Sequence, residues 1–521
     1  MTLTQKVGQL FMPAAFINDT EEEIQELEKL IQRHDVGGLC FFHSRASAAT
    51  NFEGKKVVLQ NERSYDRLKT LIGRYQTVAQ FPLLIAIDAE WGLAMRIENT
   101  PQYPYAITLG AIENNTDLTF KVGQNIAKDC KVAGIHWNLS PVVDINNNPN
   151  NPVIGYRSFG ENREAVVANA ISYVKGTQSE GILTSVKHFP GHGDTSTDSH
   201  LGLPLINKSK NELLKKELYP FRKLIDEGVD SIMVGHLSVP ALANGKKISA
   251  SLSKDIIKGV LRQEMGFEGI VISDALNMHA VSKNHPIKGE LEWLAFDAGN
   301  DILCFAENVS EGIATIVQNA TQKQVEESFA RIWRLKSKAI LKRGTKGFNL
   351  TNPDSLNQKV AEKSLTLYKG SEANIIDFSK KDFIYIENFN LTENQFIKSI
   401  LEHKKFNCTV LGDKSIETHK NILLALYPPQ IKPTNNFGLS AEELESINTL
   451  IKTKNVVLYL FGNPYVLNHI DFKNIKAIVV VYQNFKVFQE TAALHFLGKF
   501  KASGKLPVKV SLASTKSSGS I

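Results

Sequence analysis

Cysteine is scarce in this sequence of 521 residues, and the four cysteines present form no CxxC pair. Such isolated cysteines argue against a disulfide scaffold and against a zinc ribbon. No apolar run approaches the roughly eighteen residues of a membrane-spanning helix. Dense basic blocks are also missing, because 60 Lys and Arg against 54 Asp and Glu leave a formal charge of +6 spread along the chain. We therefore expect neither a membrane span nor a nucleic acid partner.

The chain begins with MTLTQKVGQLFMPAAF, which lacks a basic segment followed by a long apolar core and a small-residue cleavage site. No signal peptide is therefore visible, and the pattern fits a cytoplasmic protein or a chain trimmed at its ends. Hydrophobic residues make up 42% and charged residues 22% of the chain, as in a soluble globular protein. One hydrophobic core cannot serve this length, so about two to four domains are expected.

Short apolar runs alternate with longer amphipathic stretches over roughly the first three hundred residues, which is typical of parallel strands joined by crossover helices. The eight runs that predict strands are GQLFMPA from Gly8, GGLCFFH from Gly37, PLLIAID from Pro82, IHWNLS from Ile135, TSVKHF from Thr184, DSIMVGH from Asp230, GIVISDA from Gly269 and NDILCFA from Asn300. An amphipathic helix from Gln322 to Arg343 follows them. This α/β pattern predicts a (β/α)8 TIM-like barrel over residues 1–343.

A Gly-, Asn- and Pro-rich stretch at residues 344–360 predicts a linker. The alternation then resumes and predicts a smaller α/β(α) sandwich domain over residues 361–512, with a disordered tail at 513–521. Its predicted strands are FIYIEN, NCTVL, NILLALYP, NVVLYLFG and AIVVVYQ. Ser440 and Glu443 have the spacing of a capping box at the start of a helix.

Ionisable residues stand at the carboxyl ends of four predicted strands: Asp88, Lys187 with His188, His236 and Asp274. A single such residue is usually a turn residue. Four strand ends of this kind in one barrel favour an active site, because these ends open onto the same mouth.

Two further segments suggest carbohydrate chemistry. In EGIVISDALNM four apolar residues are followed by Ser273 and Asp274, where a fixed carboxylate could attack an anomeric carbon or, equally, cap the next helix. Asp88 and Arg96 could hold the hydroxyl and acyl oxygens of a sugar, or form a salt bridge at the rim. Arg157, in VIGYRSFGENRE, is a weaker candidate because a surface arginine is the simpler interpretation.

The stretch KHFPGHGDTSTDSH, residues 187–200, concentrates histidines among glycines and proline. Lys187 and His188 complete a strand, so only one should face the mouth unless a bulge turns both inward. Glycines then allow a mobile loop, in which Asp198 can hydrogen-bond His200 and tune it for general acid/base catalysis. A metal site is disfavoured because the histidine spacing matches no helical HExxH arrangement, and His192 is expected to be structural.

Taken together, these motifs resemble glycoside hydrolase family 3 β-N-acetylglucosaminidases of the bacterial, peptidoglycan-recycling type in its two-domain form. The signature KHFPGHGDxxxDSH is highly specific and complete here, and SDALNM resembles the nucleophile motif. The resemblance implies Asp274 as nucleophile and His200, paired with Asp198, as general acid/base. It also implies that the sugar is bound by Asp88, Arg96, Arg157, Lys187, His188 and His236. One departure is Trp91, where the family usually has glycine.

The implied reaction is the retaining, exo-acting removal of β-linked N-acetylglucosamine from an oligosaccharide or muropeptide, without a metal or other cofactor. Three alternatives stay open: a β-glucosidase or β-xylosidase of the same family, an N-acetylglucosaminide phosphorylase, and a carbohydrate-binding protein on an inactive barrel. The β-glucosidase branch takes its acid, a glutamate, from the second domain, and the complete DSH loop argues against that branch. Because two-domain relatives often work outside the cytoplasm, an extracytoplasmic location is expected.

Overall fold

The computed structural model describes residues 1–43, 63–196, 202–340, 349–388 and 394–511. The chain forms two compact units, each built from three segments. The first unit comprises Met1–Tyr103, Thr119–Ile145 and Val166–Pro353, and the second comprises Pro104–Leu118, Asn146–Ala165 and Asp354–Ile521. Within the described ranges no helix is both long and apolar enough to cross a membrane.

All eight apolar runs predicted to be strands in the first unit form strands. Their bounds are β1 Phe11–Met12, β2 Ala14–Phe16, β3 Gly38–Phe42, β4 Leu84–Ile87, β5 Trp137–Asn138, β6 Leu183–Phe189, β7 Ser231–Val234, β8 Ile270–Ser273 and β9 Leu303–Cys304, with the first run divided in two at Pro13. Strands β2 to β8 pair in sequence order, and every pair is parallel.

The ends of this parallel sheet approach each other. Strand β9 pairs with β1, and an isolated bridge joins Ile272 of β8 to Ile302, which precedes β9. Because β1 and β2 are separated only by Pro13, the sheet curls round towards its own first strand. The first unit is thus an α/β fold with a curled parallel sheet, in which the carboxyl ends of all strands lie at one edge.

Helices connect the strands, as the amphipathic stretches predict. In the described part of the first 340 residues, the α- and π-helices are Leu3–Gly8, Glu21–His34, Ser64–Val78, Ala106–Gly110, Asp117–Ala133, Arg163–Ser179, Lys210–Lys215, Tyr219–Asp226, the π-helix Asp255–Glu264, His279–Ser282, Glu290–Ala298, Val309–Asn319 and Gln322–Ile340. The helix predicted to end at Arg343 is described as far as Ile340. Several helices begin with a capping box. In the helix Glu21–His34, for example, the Thr20 side chain accepts from the Glu23 backbone N–H, and the Glu23 side chain accepts from the Thr20 backbone N–H.

The second unit contains a six-stranded sheet. Its strands are β10 Thr366–Lys369, β11 Ile384–Glu387, β12 Asn407–Val410, β13 Asn421–Leu426, β14 Asn455–Leu460 and β15 Ala477–Val480, in the spatial order β10-β15-β14-β13-β11-β12. All pairs are parallel except β10 with β15, which is antiparallel. The later helices are Asp354–Ser364, Glu372–Ser379, Gln395–Leu401, Ala441–Thr453 and Lys486–Phe496, and the predicted capping box of Ser440 is present.

Two expectations about the domain boundaries are wrong. Residues 354–360 of the predicted linker are helical, because Leu356, Val360 and Ala361 recur at helical spacing and are buried. The predicted barrel segment 1–343 also contains two stretches that belong to the second unit. Within that unit these stretches pack too closely for a side chain: a Cβ at Gly110 would lie 1.7 Å from the Phe159 carbonyl oxygen. Such contacts between distant segments leave no periodic signal in the sequence.

Candidate active site

Three strands of the curled sheet bring four of the predicted site residues to one edge. Asp88 directly follows β4, Lys187 and His188 lie in β6, and Asp274 directly follows β8. Carboxyl ends of parallel strands converge at the mouth of such a sheet, so these side chains face a common region.

Lys187 is the centre of a buried charge cluster. Its Nζ lies 2.6 Å from Asp88 Oδ1 and 2.9 Å from Glu90 Oε1, and only 2% of Lys187 is exposed. Arg96 donates to Asp88 Oδ2 over 2.7 Å while its guanidinium lies 4.9 Å from the centre of the Phe42 ring. Burial alone would raise the pKa of Asp88, but the nearby Lys187 and Arg96 cations hold it well below its usual range. The Asp88 carboxylate therefore stays ionised between these two cations.

Glu90 was not among the predicted site residues. Its position two residues after Asp88 is the signal that could have revealed it, since residues two apart in extended chain share a face.

A bulge in β6 turns both Lys187 and His188 inward, as the sequence allowed. Val186 pairs with Ile232 and Phe189 with Val234, so β6 has one residue more than β7 between these pairs. Lys187 then meets the Asp88 cluster, while His188 Nδ1 lies 2.7 Å from Asp144 Oδ2. The Lys187–His188 peptide bond is cis.

Asp144, which sequence analysis missed, organises the turn after β6. Its buried carboxylate accepts from the backbone N–H of His188 and, over 2.7 Å, from that of His192, in addition to the His188 ring. Burial would raise the pKa of Asp144, but His188 and His192 outweigh it and the pKa lies below its usual value. An ionised carboxylate fixes Nδ1 of His188 as a donor and so sets the orientation of that ring.

His192 is structural, as expected. Its Nδ1 lies 2.7 Å from Thr195 Oγ1, whose hydroxyl donates to the His192 carbonyl oxygen, so Nδ1 is the donor in the first contact. Only 1% of His192 is exposed, and burial, together with the neighbouring His188, lowers its pKa to about 4. The ring is therefore neutral at neutral pH.

The low pKa of His192 predicts a loss of stability in mild acid. An unfolded histidine titrates near pH 6.5 and the folded one near pH 4, so between these values the unfolded chain binds more protons. The free energy of unfolding should fall as the pH drops through this window, by about 3 kcal/mol at its lower end. In thermal melts between pH 7.5 and pH 4.5, the melting temperature of His192→Gln should fall less steeply with decreasing pH than that of the unsubstituted protein. Parallel declines would contradict this prediction.

Asp274 is half-buried at the end of β8, and its Oδ1 accepts from the Ala275 backbone N–H over 2.8 Å. Burial would raise its pKa, but His236, His188, the Ala275 N–H and Lys187 outweigh burial and lower it. The result is an ionised carboxylate that solvent can still reach, which is what a nucleophile requires.

His236 is fully buried, and both its ring nitrogens face protein atoms. Nδ1 lies 2.7 Å from Ser251 Oγ and Nε2 lies 2.9 Å from the Ala275 carbonyl oxygen, so Nε2 carries the proton. A histidine engaged in this way supports the turn at Asp274 and the charge on it. The family resemblance implies that His236 binds the sugar. Its position near a strand end does not reveal that Ser251 and the Ala275 carbonyl face its ring.

Three predicted site residues have still to be accounted for. Arg157 belongs to the second unit, in the 3-10 turn Gly155–Arg157, and Asp198 and His200 lie outside the described residues. The described start of their loop is packed rather than hinged: a Cβ at Gly193 would lie 1.7 Å from the Ile145 carbonyl oxygen, and Gly191 has φ +122°. In the described parts of the chain no three His, Cys, Asp or Glu residues are arranged to hold a metal.

Comparisons with known proteins show which proteins this chain is similar to. The family model described as the glycosyl hydrolase family 3 N terminal domain matches residues 2–335. Beta-hexosaminidase A of Pseudoalteromonas piscicida is 33% identical over 344 residues, which cover 60% of this chain and 55% of that protein. A beta-hexosaminidase of Neisseria meningitidis serogroup B is 35% identical over 303 residues, which cover 57% of this chain and 77% of that protein. This chain thus spans about half the length of the Pseudoalteromonas relative.

A solved structure is similar over the whole length. The structure of a glycoside hydrolase family 3 β-N-acetylglucosaminidase from Paenibacillus sp. str. FPU-7 has a TM-score of 0.80 to this chain at 26% identity, and the match covers 98% of this chain and 99% of that one.

Proposed function

The chain belongs to glycosyl hydrolase family 3, and on this premise we propose that it is a retaining, exo-acting β-N-acetylglucosaminidase. The proposed substrate carries a non-reducing terminal β-linked N-acetylglucosamine, as peptidoglycan-derived fragments do. Relatives described as beta-hexosaminidases, at 33% and 35% identity, support this activity. We further propose that the curled sheet is the (β/α)8 barrel of the family and that residues 354–511 form most of an accessory α/β(α) domain.

One observation carries the proposal: an ionised, half-buried Asp274 stands at the sheet edge that also bears the Asp88–Lys187–Arg96 cluster. In the first step an Asp274 oxygen attacks the anomeric carbon. The bond from that carbon to the leaving oxygen breaks while protonated His200 gives this oxygen its proton. The product is a covalent glycosyl ester on Asp274, and the leaving group departs as an alcohol.

The second step reverses these roles. Neutral His200, held by Asp198, takes a proton from water as the water oxygen bonds to the anomeric carbon. The ester bond breaks, Asp274 regains its charge, and the sugar leaves with its original anomeric configuration after two inversions. Water is the only co-reactant.

The other charged residues are proposed to hold the sugar. Asp88 and Lys187 offer an acceptor and donors whose positions are fixed before the substrate arrives, so little reorganisation is needed. Arg96, Arg157 and His188 complete this set. His236, whose ring nitrogens both face protein atoms, is proposed to position Asp274 rather than to touch the substrate.

Substrate comparison tests the proposal. 4-Nitrophenyl β-N-acetylglucosaminide should be cleaved with a kcat/KM at least about 100-fold above that of the matching β-glucoside and β-xyloside, because a site that hydrogen-bonds an acetamido group rejects sugars lacking it. Product analysis should give free N-acetylglucosamine with or without phosphate. Preference for the glucoside, or formation of a sugar 1-phosphate, would overturn the assignment in favour of a glucosidase or a phosphorylase.

A further inference from the structure

Lys208 forms an ion trio that the reaction described above does not use. Its Nζ pairs with an Asp194 oxygen and lies 2.7 Å from Glu217 Oε1. The Glu217 side chain is 3% exposed, whereas the Lys208 and Asp194 side chains are 22% and 32% exposed. The trio therefore extends from a buried carboxylate to a half-exposed one.

Asp194 belongs to the outgoing stem of the loop that carries the proposed acid/base pair, and this stem, residues 190–195, is mostly buried. Asp144 accepts from the His192 N–H at 2.7 Å, and Gly193 is pressed against the Ile145 carbonyl oxygen. On its other side, a Cβ at Gly191 would meet the Glu217 Cβ at 2.8 Å. The outgoing stem is thus packed between Asp144 and Glu217.

Lys208 follows the return stem, residues 204–206, which is anchored separately. Ser238, in the segment after β7, donates its N–H to the Pro204 carbonyl at 2.8 Å, and its own carbonyl accepts from the Ile206 N–H at 2.9 Å. Lys208 comes two residues after the return stem. Because it pairs with both Asp194 and Glu217, it connects this part of the chain to the outgoing stem and to Glu217, against which the outgoing stem packs. An ion pair with one buried carboxylate is far less easily exchanged for water than an exposed pair.

We propose that Lys208 is a positioning residue for proton transfer, because it joins the two stems between which Asp198 and His200 are carried. This inference rests on the proposed function, in which His200 protonates the leaving group. The trio holds the stems at a fixed separation and acts on the reaction through the loop that they carry. Loss of the link should impair protonation more than nucleophilic attack.

The test uses leaving groups of different acidity on the full chain. Asp194→Ala removes the link but leaves the buried Glu217 paired with Lys208, so the fold should be retained. A 2,4-dinitrophenyl N-acetylglucosaminide needs little protonation of its leaving group, whereas an alkyl N-acetylglucosaminide needs it fully. We expect Asp194→Ala to lower kcat/KM for the alkyl glycoside about 10-fold more than for the dinitrophenyl glycoside, part of the ~10²–10⁴ that general acid catalysis supplies.

Matched variants separate positioning from general damage. Glu264→Gln removes the exposed Lys210–Glu264 pair, which is also 2.7 Å long, and should leave kcat/KM unchanged for both glycosides. Lys208→Arg keeps the positive charge between Asp194 and Glu217, so the ratio of kcat/KM for the alkyl and aryl glycosides should stay that of the unsubstituted protein. If Asp194→Ala lowered kcat/KM equally for both glycosides, or for neither, the proposed role of Lys208 would be overturned. The proposed function would still stand as long as Asp274→Ala was inactive. An active Asp274→Ala would overturn the proposed function itself.

Discussion

Replacement of Asp274 by alanine is expected to lower kcat for an aryl β-N-acetylglucosaminide by at least about 10⁴-fold, because removal of a covalent nucleophile leaves only binding and polarisation. Within the described residues the side chain has one hydrogen bond, from the Ala275 N–H, and it is half-buried, so its loss should cost little stability. Initial rates and thermal melts on the same preparation would separate the two effects.

A trapping experiment provides the control for this variant. A 5-fluoro N-acetylglucosaminyl fluoride should form a stable ester with the unsubstituted protein, and mass spectrometry should place the added sugar on the peptide that contains Asp274. Asp274→Asn, of nearly the same shape, should not be labelled. Undiminished turnover by either variant would remove the assignment of the nucleophile.

Replacement of Lys187 by methionine is expected to damage both folding and turnover. Lys187 is 2% exposed and pairs with two carboxylates, so its removal leaves buried negative charge without its main partner and should cost about 3–5 kcal/mol. The variant also loses a donor that we propose binds the sugar, which should lower kcat/KM by about 10²–10³-fold.

The same variant should also be more sensitive to acid. Asp88 has a folded pKa below its unfolded value, so it contributes stability above the unfolded value, and this contribution is lost as the pH falls through the folded pKa. Without Lys187 the folded pKa rises, and the acid unfolding midpoint should move to higher pH. Lys6→Met is a matched control, because the Lys6–Glu326 pair is 2.6 Å long but partly exposed and should contribute at most about 1 kcal/mol. If both variants behaved alike in melts and rates, Lys187 would not organise the site.

The positions of the strands in the first unit could be predicted because parallel strands buried on both faces appear as continuous apolar runs. The candidate site could be predicted for a related reason: ionisable residues interrupt those runs at their carboxyl ends, as at Asp88 and Asp274. In the second unit, β10 escaped prediction because TLYK is short and of mixed polarity, and its strand is formed by antiparallel pairing with β15.

Contacts between segments distant in sequence could not be predicted from a single chain. Asp144 meets His188 across 44 residues, and neither segment shows this pairing by composition. His236 appeared equivalent to the other strand-end residues until Ser251 and the Ala275 carbonyl were found against its ring. The glycines at 191 and 193 suggested a hinge, whereas in the structure they permit close packing.

The interleaving of the two units along the chain has a consequence for biosynthesis. Six alternating segments mean that the polypeptide passes between the units five times. When residues 104–118 and 146–165 leave the ribosome, the partners that complete their unit, residues 354 onward, have not yet been made. The second unit can therefore close only after residues 354 onward have been made. Until then the two early segments lack their partners, and exposed apolar surface at such a stage favours misfolding. For the same reason the two units are not interchangeable modules that could be separated by a single cut.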